Sequence, residues 1–586
     1  MDITSLATSV DTGWTLLGAA MVFFMQAGFC MLESGLTRAK NAGNIIMKNL
    51  VDFAVGTPFY WFLGFGIMFG SAGLFIGKAD LFSIHQTDFT TMIFQTVFCA
   101  TSATIVSGAV AERTKFSSYC IFSCVISLII YPISGHWIWG GGWLSVLGFH
   151  DFAGSTAVHM VGGVAALMGA IVVGPRIGKY KKDGSSNAIL GHNLTSAALG
   201  VFILWFCWFG FNGCSTVGLS DGLSDTAARV FYTTNLATCT ATLGALITTW
   251  IKYKKPDVSM TLNGTLAGLV AITAGCDTVT PVGAAIIGVI SGVCIVFAVE
   301  IIDKKLKVDD PVGAVAVHGF CGMLGTILTG LFSYYDFGSG ERIGLFYGGG
   351  AHFFLVQCLG VLTVALWSGC ISFIVFKLLK HTIGIRCSAE EELDGLDLHE
   401  HGLTSAYADF TLSSSINNFG GHNEKVKDLL MAPENEKVPM DEAVPVQLKE
   451  TKHIPGEPIT AYDSKITKIT ILAKQNRFDD LKEALDAIDI TGMTVTNVLG
   501  CGVQKGRTDY YRGVKMETIL HPRIQVDIVV CTVPASLVIE TARKVLYTGH
   551  IGDGKIFVYD VEQVIKVRTG EVGREALLDV DINKKQ

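Results

Sequence analysis

Apolar runs near 20 residues long, punctuated by glycine and short polar turns, fill residues 1 to about 386; after Arg386 the chain becomes polar and charged. Runs of that length match a hydrocarbon core of about 30 Å. The pattern predicts a polytopic α-helical membrane domain followed by a soluble appendage. Eleven spans are expected, with starts near Trp14, Leu50, Thr91, Phe116, Phe152, Gly191, Arg229, Met260, Pro281, Val312 and Phe346.

Basic residues sort by side along this pattern. The loops after spans one, three, five, seven and nine hold Arg38, Lys40 and Lys48; Arg113 and Lys115; Arg176, Lys179, Lys181 and Lys182; Lys252, Lys254 and Lys255; and Lys304, Lys305 and Lys307. Lys377, Lys380 and Arg386 follow the last span, giving 18 on one side against Lys78, Arg229 and Arg342 on the other. Positive charge collects on the cytoplasmic side, so the N-terminus is expected outside and the C-terminus inside, which an odd number of spans satisfies. No basic stretch precedes the first apolar run, so no cleavable signal peptide is expected. None of the 15 cysteines forms a Cys-x-x-Cys pair, which suits packing residues or reduced thiols better than disulfides or metal sites. No nucleic-acid partner is expected.

Two spans share a motif, Ala-Val-His-x-x-x-Gly, at Ala157–Gly163 and Ala316–Gly322. His159 and His318 lie seven residues beyond Phe152 and Pro311, the first positions after Asp151 and Asp310. An intramembrane histidine is costly and marks a functional site by default; the bland alternative is a hydrogen bond to a neighbouring helix. Span five runs inward and span ten outward, so the motif sits on helices of opposite direction. Five spans, five inverted spans and one extra helix fit an inverted-repeat transporter with its site near the bilayer midplane. Asp151, at the mouth of span five, reads either as an entrance acid attracting a cation or as the helix N-cap. Trp139, in His136-Trp-Ile-Trp-Gly-Gly-Gly, reads either as a cation–π face or as an interfacial anchor.

The stretches Met31-Leu-Glu-Ser-Gly-Leu, Gly108-Ala-Val-Ala-Glu-Arg, Trp139-Gly-Gly-Gly, Asp151-Phe-Ala-Gly-Ser-Thr-Ala-Val-His, Trp208-Phe-Gly-Phe-Asn and Val308-Asp-Asp-Pro carry a resemblance. Residues 11–409 resemble the ammonium transporter family, and Gly395–Tyr407 resembles its cytoplasmic C-terminal segment. The resemblance implies a homotrimer in the inner or plasma membrane with a pore in each subunit, and no enzymatic activity or cofactor for transport. It assigns Trp139 and Ser215 to an outer ammonium-recruiting site lined by Phe98, Phe98 and Phe211 to a stacked gate, His159 and His318 to the pore, and Asp151 to support of the outer site. An acid often found five residues before the second histidine is Gly313 here. Crossing as ammonia avoids the desolvation cost of a buried charge, and imidazoles titrating near neutrality can relay the released proton. Net positive charge movement is expected; an electroneutral ammonia channel is the alternative.

Residues 410–463 hold Ser413-Ser-Ser, Asn417-Asn, Gly420-Gly and five prolines from Pro433 to Pro458, the composition of a linker. A flexible chain of about 54 residues spans roughly 40 Å root-mean-square. A βαββαβ order follows over 464–577: a strand around Ile466–Ile471, a helix from Phe478, strands Val495–Val503 and Ile524–Val533, a helix Ala535–Leu546 and a strand Lys555–Tyr559. That order is ferredoxin-like α+β, with a long polar excursion Gln504–His521 of the kind that is usually functional and a tail 578–586. Gly549, Gly552 and Gly554 allow backbone amides to approach an anion, with charge from Lys555, Lys566 and Arg568.

Gly492-Met-Thr-Val-Thr, Gln504-Lys-Gly, Tyr511-Arg-Gly, Tyr547-Thr-Gly-His-Ile-Gly-Asp-Gly-Lys and Lys566-Val-Arg-Thr-Gly-Glu make this module similar to the PII signal-transducer family. The likeness implies an ATP/ADP site between trimer subunits with Thr494, Gly552, Gly554, Lys555, Lys566 and Arg568. It implies 2-oxoglutarate binding with Mg2+-ATP at Gln504, Gly552 and Arg523, and a loop of Gln504, Lys505 and Arg512 whose arginine plugs a transporter's cytoplasmic exit, in cis or in trans. Lys474-Gln-Asn and Val503 depart from the family's Lys-Pro-Phe and loop arginine, and Met516 stands where many relatives have a uridylylated tyrosine. No uridylylation is expected. The regulated transporter has one rival from a different class, an ammonium sensor signalling through the module.

Overall fold

The computed structural model describes residues 3–71, 73–335, 342–403, 406, 466–474, 477–490, 492–500, 508–511, 514–517, 521–547 and 554–577. The chain folds into two units. Among the described residues of the first, ten helices are long and apolar enough to cross a membrane: α1 (Ile3–Leu36), α2 (Ala39–Phe69), α3 (Phe89–Ala109), α4 (Phe116–Val146), α5 (Ser155–Val173), α6 (Leu194–Thr216), α7 (Leu223–Tyr253), α9 (Pro281–Lys305), α10 (Val315–Phe332) and α11 (Ala351–Thr382). The shorter α8, Val258–Ile272, is apolar and completes the eleven.

Helices continue past the purely apolar stretches. Helix α1 begins at Ile3 rather than near Trp14, and α2 at Ala39 rather than near Leu50. Lys48, read from the sequence as a loop residue, therefore lies inside α2 and is fully buried. The start of α2 is fixed from far along the chain: the Asp397 carboxylate accepts from the amides of Gly43 and Asn44 at 2.9 and 2.7 Å, satisfying donors that a helix start leaves open. Asp397 belongs to two short helices, α12 (Ala389–Asp394) and α13 (Leu396–His401), that follow the last span.

Packing obeys the inverted repeat. Helix α1 lies along α6; α2 packs on α3 and α4, as α7 packs on α8 and α9; α3 meets α5, as α8 meets α10; and α5 meets α10. Each pairing in the first five helices recurs in the second five, or joins the two sets. Among the described residues six π-helical turns interrupt the bundle, at Tyr60–Gly64, Ile126–Ile130, Ser155–Met160, Phe209–Gly213, Ile301–Lys305 and Val315–Phe320. Such turns cluster at functional sites.

The second unit has a four-stranded sheet of β1 (Thr467–Lys474), β2 (Thr494–Gly500), β5 (His521–Val530) and β6 (Lys555–Asp560), in the order β2-β5-β1-β6. Every adjacent pair is antiparallel. Helices α14 (Phe478–Asp486) and α15 (Ala535–Leu546) pack over it, closing a core that includes Ile469, Ile471, Leu481, Leu485, Val526, Ile528 and Val538. This is the expected ferredoxin-like arrangement. The excursion read as loop contains two further strands, β3 (Thr508–Tyr511) and β4 (Val514–Glu517), paired as a hairpin, and β5 begins at His521 rather than Ile524. The segments 410–463 and 578–586 lie outside the described residues.

Candidate functional site

His159 and His318 sit on the first turns of α5 and α10, both wound as π-helix. An aspartate precedes each by eight residues. The Asp151 carboxylate accepts from the amides of Gly154, Ser155, Thr156 and Ala157 at 2.8–2.9 Å. The Asp310 carboxylate accepts from Gly313, Ala314 and Val315 at 2.8–3.1 Å. Each acid thus collects donors that a helix start leaves unpaired. Asp310 was not singled out from the sequence, although its shared spacing to the histidine was the available signal. Gly313, next to Asp310's turn, has φ +87°, a conformation open to glycine and strained for an acid.

The motif glycines bring the two helices together. A Cβ on Gly163 would stand 2.0 Å from the backbone nitrogen of Gly319, and one on Gly322 would stand 2.5 Å from the Ser155 carbonyl and 3.1 Å from the Met160 nitrogen. At that crossing the Nδ1 atoms of His318 and His159 are 3.3 Å apart. One must donate and the other accept, so the two rings share a proton. The Nε2 of His159 is buried without a hydrogen-bond partner among the described residues, an open position for a proton or a neutral amine.

A file of aromatic rings runs through the pair. Trp139 stands edge-on to Phe98 with centroids 6.2 Å apart, Phe98 stacks on Phe211 at 4.2 Å, Phe211 on His159 at 5.2 Å, His159 on His318 at 5.3 Å, and His318 lies 5.8 Å from Phe29. Trp208 flanks His159 at 4.9 Å and is pinned by donating its indole N–H to the Thr273 hydroxyl. Trp139 donates its own to the Asp151 carbonyl at 2.7 Å, so the acid orients the indole through its backbone as well as capping α5. Ser215 donates its hydroxyl to the Phe211 carbonyl at 2.7 Å, leaving its oxygen to accept. Five of the seven predicted membrane residues, Trp139, Phe98, Phe211, His159 and His318, therefore stand in one file, with Asp151 tied to it through Trp139 and Ser215 through the Phe211 carbonyl. Phe29 and Trp208 are additions that no spacing in the sequence marked as ring partners.

At the Asp310 end of this line the loops lock by charge. Arg176 grips Asp309 through two nitrogens at 2.8 and 2.9 Å and reaches Glu112 at 2.9 Å, which also pairs with Arg38. Arg113 donates to the Asp309 carbonyl at 2.7 Å. Burial alone would push the Asp309 carboxyl up; Arg176 and then Arg113 outweigh it and hold the group well below the usual carboxylate range. Glu112 is held down in the same way by Arg176 and Arg38 against burial. Motifs Gly108–Arg113 and Val308–Pro311, far apart in sequence, form one cluster.

The family model described as Ammonium Transporter Family matches residues 13–407. The chain belongs to that family. A second model, Nitrogen regulatory protein P-II, matches residues 466–571 and identifies the C-terminal unit. Ammonium transporter Amt2 of Archaeoglobus fulgidus is 45% identical over 426 residues, covering 69% of this chain and 90% of its own length. Ammonium transporter 3 of Dictyostelium discoideum is 36% identical over 411 residues, covering 69% and 95%. Among solved structures, one titled Sensor Amt Protein superposes with a TM-score of 0.64 at 40% identity, covering 68% of this chain and 100% of its own. Mep2 of Candida albicans does so with 0.60 at 27%, covering 67% and 89%.

An ammonium transporter family chain with a P-II domain thus carries two sets of candidate residues. In the P-II domain, Lys555 pairs across the sheet with Leu472, and Arg523 with Lys474, which puts both cations at one end of β1. Gly554 has φ +126°, and a Cβ there would meet the Leu472 carbonyl at 2.1 Å. Thr494 pairs with Asp527, four positions along β5 from Arg523. Lys566 and Arg568 lie in a turn closed by the Ile565–Val572 bridge, where Lys566 pairs with Glu571 at 3.2 Å. Gln504, Lys505, Arg512 and Gly552, with the departures at Gln475, Asn476 and Val503, lie outside the described residues.

Proposed function

We propose that the membrane unit takes up ammonium at the Trp139 end of the ring file, strips its proton, and conducts ammonia past Phe98 and Phe211 along the histidine pair while the proton follows a partly separate path. The contact between His159 and His318 directly beneath the stacked phenyl rings carries this reading. A cation passing that apolar constriction would lose its hydration with nothing to replace it. Splitting ammonium into ammonia and a proton avoids that cost. The Trp139 face and the Ser215 oxygen suit a small cation carrying N–H donors, and the open His159 Nε2 together with the shared Nδ1 proton suits a relay. In this reading the Trp139 end faces outside, the N-terminus with it, and the C-terminal segment and P-II domain face the cytoplasm. Net positive charge moves inward.

The assembly in this reading is a homotrimer in the cell membrane. The P-II domain binds ATP or ADP, and 2-oxoglutarate with Mg2+-ATP, between subunits; Gln504 contacts the magnesium complex and Arg512 enters the cytoplasmic exit when effectors are absent. Exposed Val495, Phe557, Val558 and Tyr559 on strands β2 and β6 favour subunit contact there. The test is ammonium-evoked current in proteoliposomes containing the full-length protein. Charge movement that scales with ammonium supports the relay; ammonia uptake without charge replaces it with the electroneutral channel. The similarity to a structure titled Sensor Amt Protein favours a second reading, an ammonium sensor that signals through the P-II domain. Ligand-dependent changes in the module without flux would select it.

A further inference from the structure

Helix α1 carries Phe29 against His318, and one turn further along the same face it carries Glu33, 2% exposed. The Oε2 of Glu33 accepts from Asn49 Nδ2 at 3.0 Å and from the Ser107 hydroxyl; among the described residues no hydrogen bond occupies Oε1. Helix α8 brings Asn263 to the same place, fully buried, with neither its Oδ1 nor its Nδ2 partnered among the described residues. Glu33, Asn263 and His318 line one cavity with Phe29, Val312 and Gly313. Buried amides are almost always hydrogen-bonded, and an unsatisfied one at both ends calls for a polar occupant. Lys48 is buried nearby on α2, but its Nζ makes no hydrogen bond among the described residues and lies over the Tyr119 ring at 5.4 Å. No lysine in the described structure therefore occupies the Glu33 carboxyl directly.

We propose that Glu33 and Asn263 form a second cation site, for ammonium or a monovalent ion of similar size, at the Gly313 end of the ring file. The proposal rests on the reading of that file as an ammonium path. Two oxygens, a carboxylate and an amide carbonyl, accept from an ion whose every edge is an N–H donor, whereas ammonia arriving past His318 offers only a weak donor set. The site is thus selective for the protonated species. It holds ammonium where it re-forms on leaving the histidines, and receives it first when the gradient is reversed.

The test is sidedness. Currents are recorded from full-length protein in excised patches, with ammonium presented to one face at a time. Glu33→Gln keeps acceptors for Asn49 and Ser107 but removes the charge, and is expected to raise the half-saturating ammonium concentration about tenfold on the face nearer Gly313 alone. Asn263→Leu is expected to act in the same direction on the same face and carries the test if the first variant does not fold. Trp139→Leu should shift only the opposite face. Unchanged half-saturation on the Gly313 face in both variants means that the cavity holds water only, and overturns the site. Absence of any wild-type current would instead overturn the transport reading beneath it.

Discussion

A Cβ on Gly163 would lie 2.0 Å from the backbone nitrogen of Gly319, so α5 and α10 touch backbone to backbone where their histidines meet. Gly163→Ala must push the helices apart or distort them, at a cost of about 1–3 kcal/mol for an overpacked contact. The expected outcome is a lower melting temperature in detergent together with reduced ammonium current, because the 3.3 Å contact between the imidazoles depends on that crossing. Wild-type stability and current in Gly163→Ala would show that the crossing can relax and that the histidine contact does not need it.

Replacing a histidine separates the relay from the path. His159→Ala removes the ring that stacks on Phe211 and Trp208 and meets His318. Charge moved per ammonium is expected to fall, and the ammonium-evoked current to drop by about a hundredfold or more, the range ascribed to a positioned proton-transfer group. Current and cation selectivity equal to the wild type would sink the relay.

Acid should loosen the charged cluster at the Asp310 end. The folded Asp309 carboxyl is held below its ordinary value, so its stabilising contribution is complete above the unfolded value of about 3.9 and is lost as pH falls towards the folded one. The thermal stability of the detergent-solubilised protein is expected to fall progressively below about pH 4. Asp309→Asn leaves the Arg176 guanidinium without its bidentate partner, which costs about 3–5 kcal/mol for a broken buried pair at neutral pH. It should also flatten the acid limb. An Asp309→Asn protein with the wild-type acid profile would assign that profile to other groups.

The tethered domain is tested by removing it. Current from full-length protein is compared with that from a version ending at Asp409, each with and without ATP plus 2-oxoglutarate. Low current in full-length protein, restored by effectors, by truncation or by Arg512→Ala, is the expected result. Equal currents in every condition would mean that the domain does not gate its own pore.

Much of the architecture could be read from local pattern. The apolar runs located the spans and the repeated Ala-Val-His-x-x-x-Gly located the paired histidines, since both signals are contained within a single helix. Lys48 misled because a basic residue near the end of an apolar run looks the same in a loop as in a capped helix. The Asp397 cap that extends α2 past it comes from more than 350 residues away. The β3–β4 hairpin was read as loop because its four-residue strands, Thr508–Tyr511 and Val514–Glu517, are too short and polar to alternate clearly. Glu33 and Asn263 looked unremarkable because each gains its meaning only from the cavity they share with His318.

By itself the sequence determined the span pattern, the inverted motif, the P-II module and the residue types needed for handling ammonium, because hydrophobic length, periodicity and motif chemistry are local properties. Tertiary structure alone decided that His159 and His318, 159 positions apart, share a hydrogen bond, and that Asp309, Glu112 and Arg176 form one cluster. Among the described residues it also left one Glu33 oxygen without a hydrogen bond beside an unpartnered amide. Those relations arise from helices approaching at glycines, and no local pattern encodes which distant surfaces will meet.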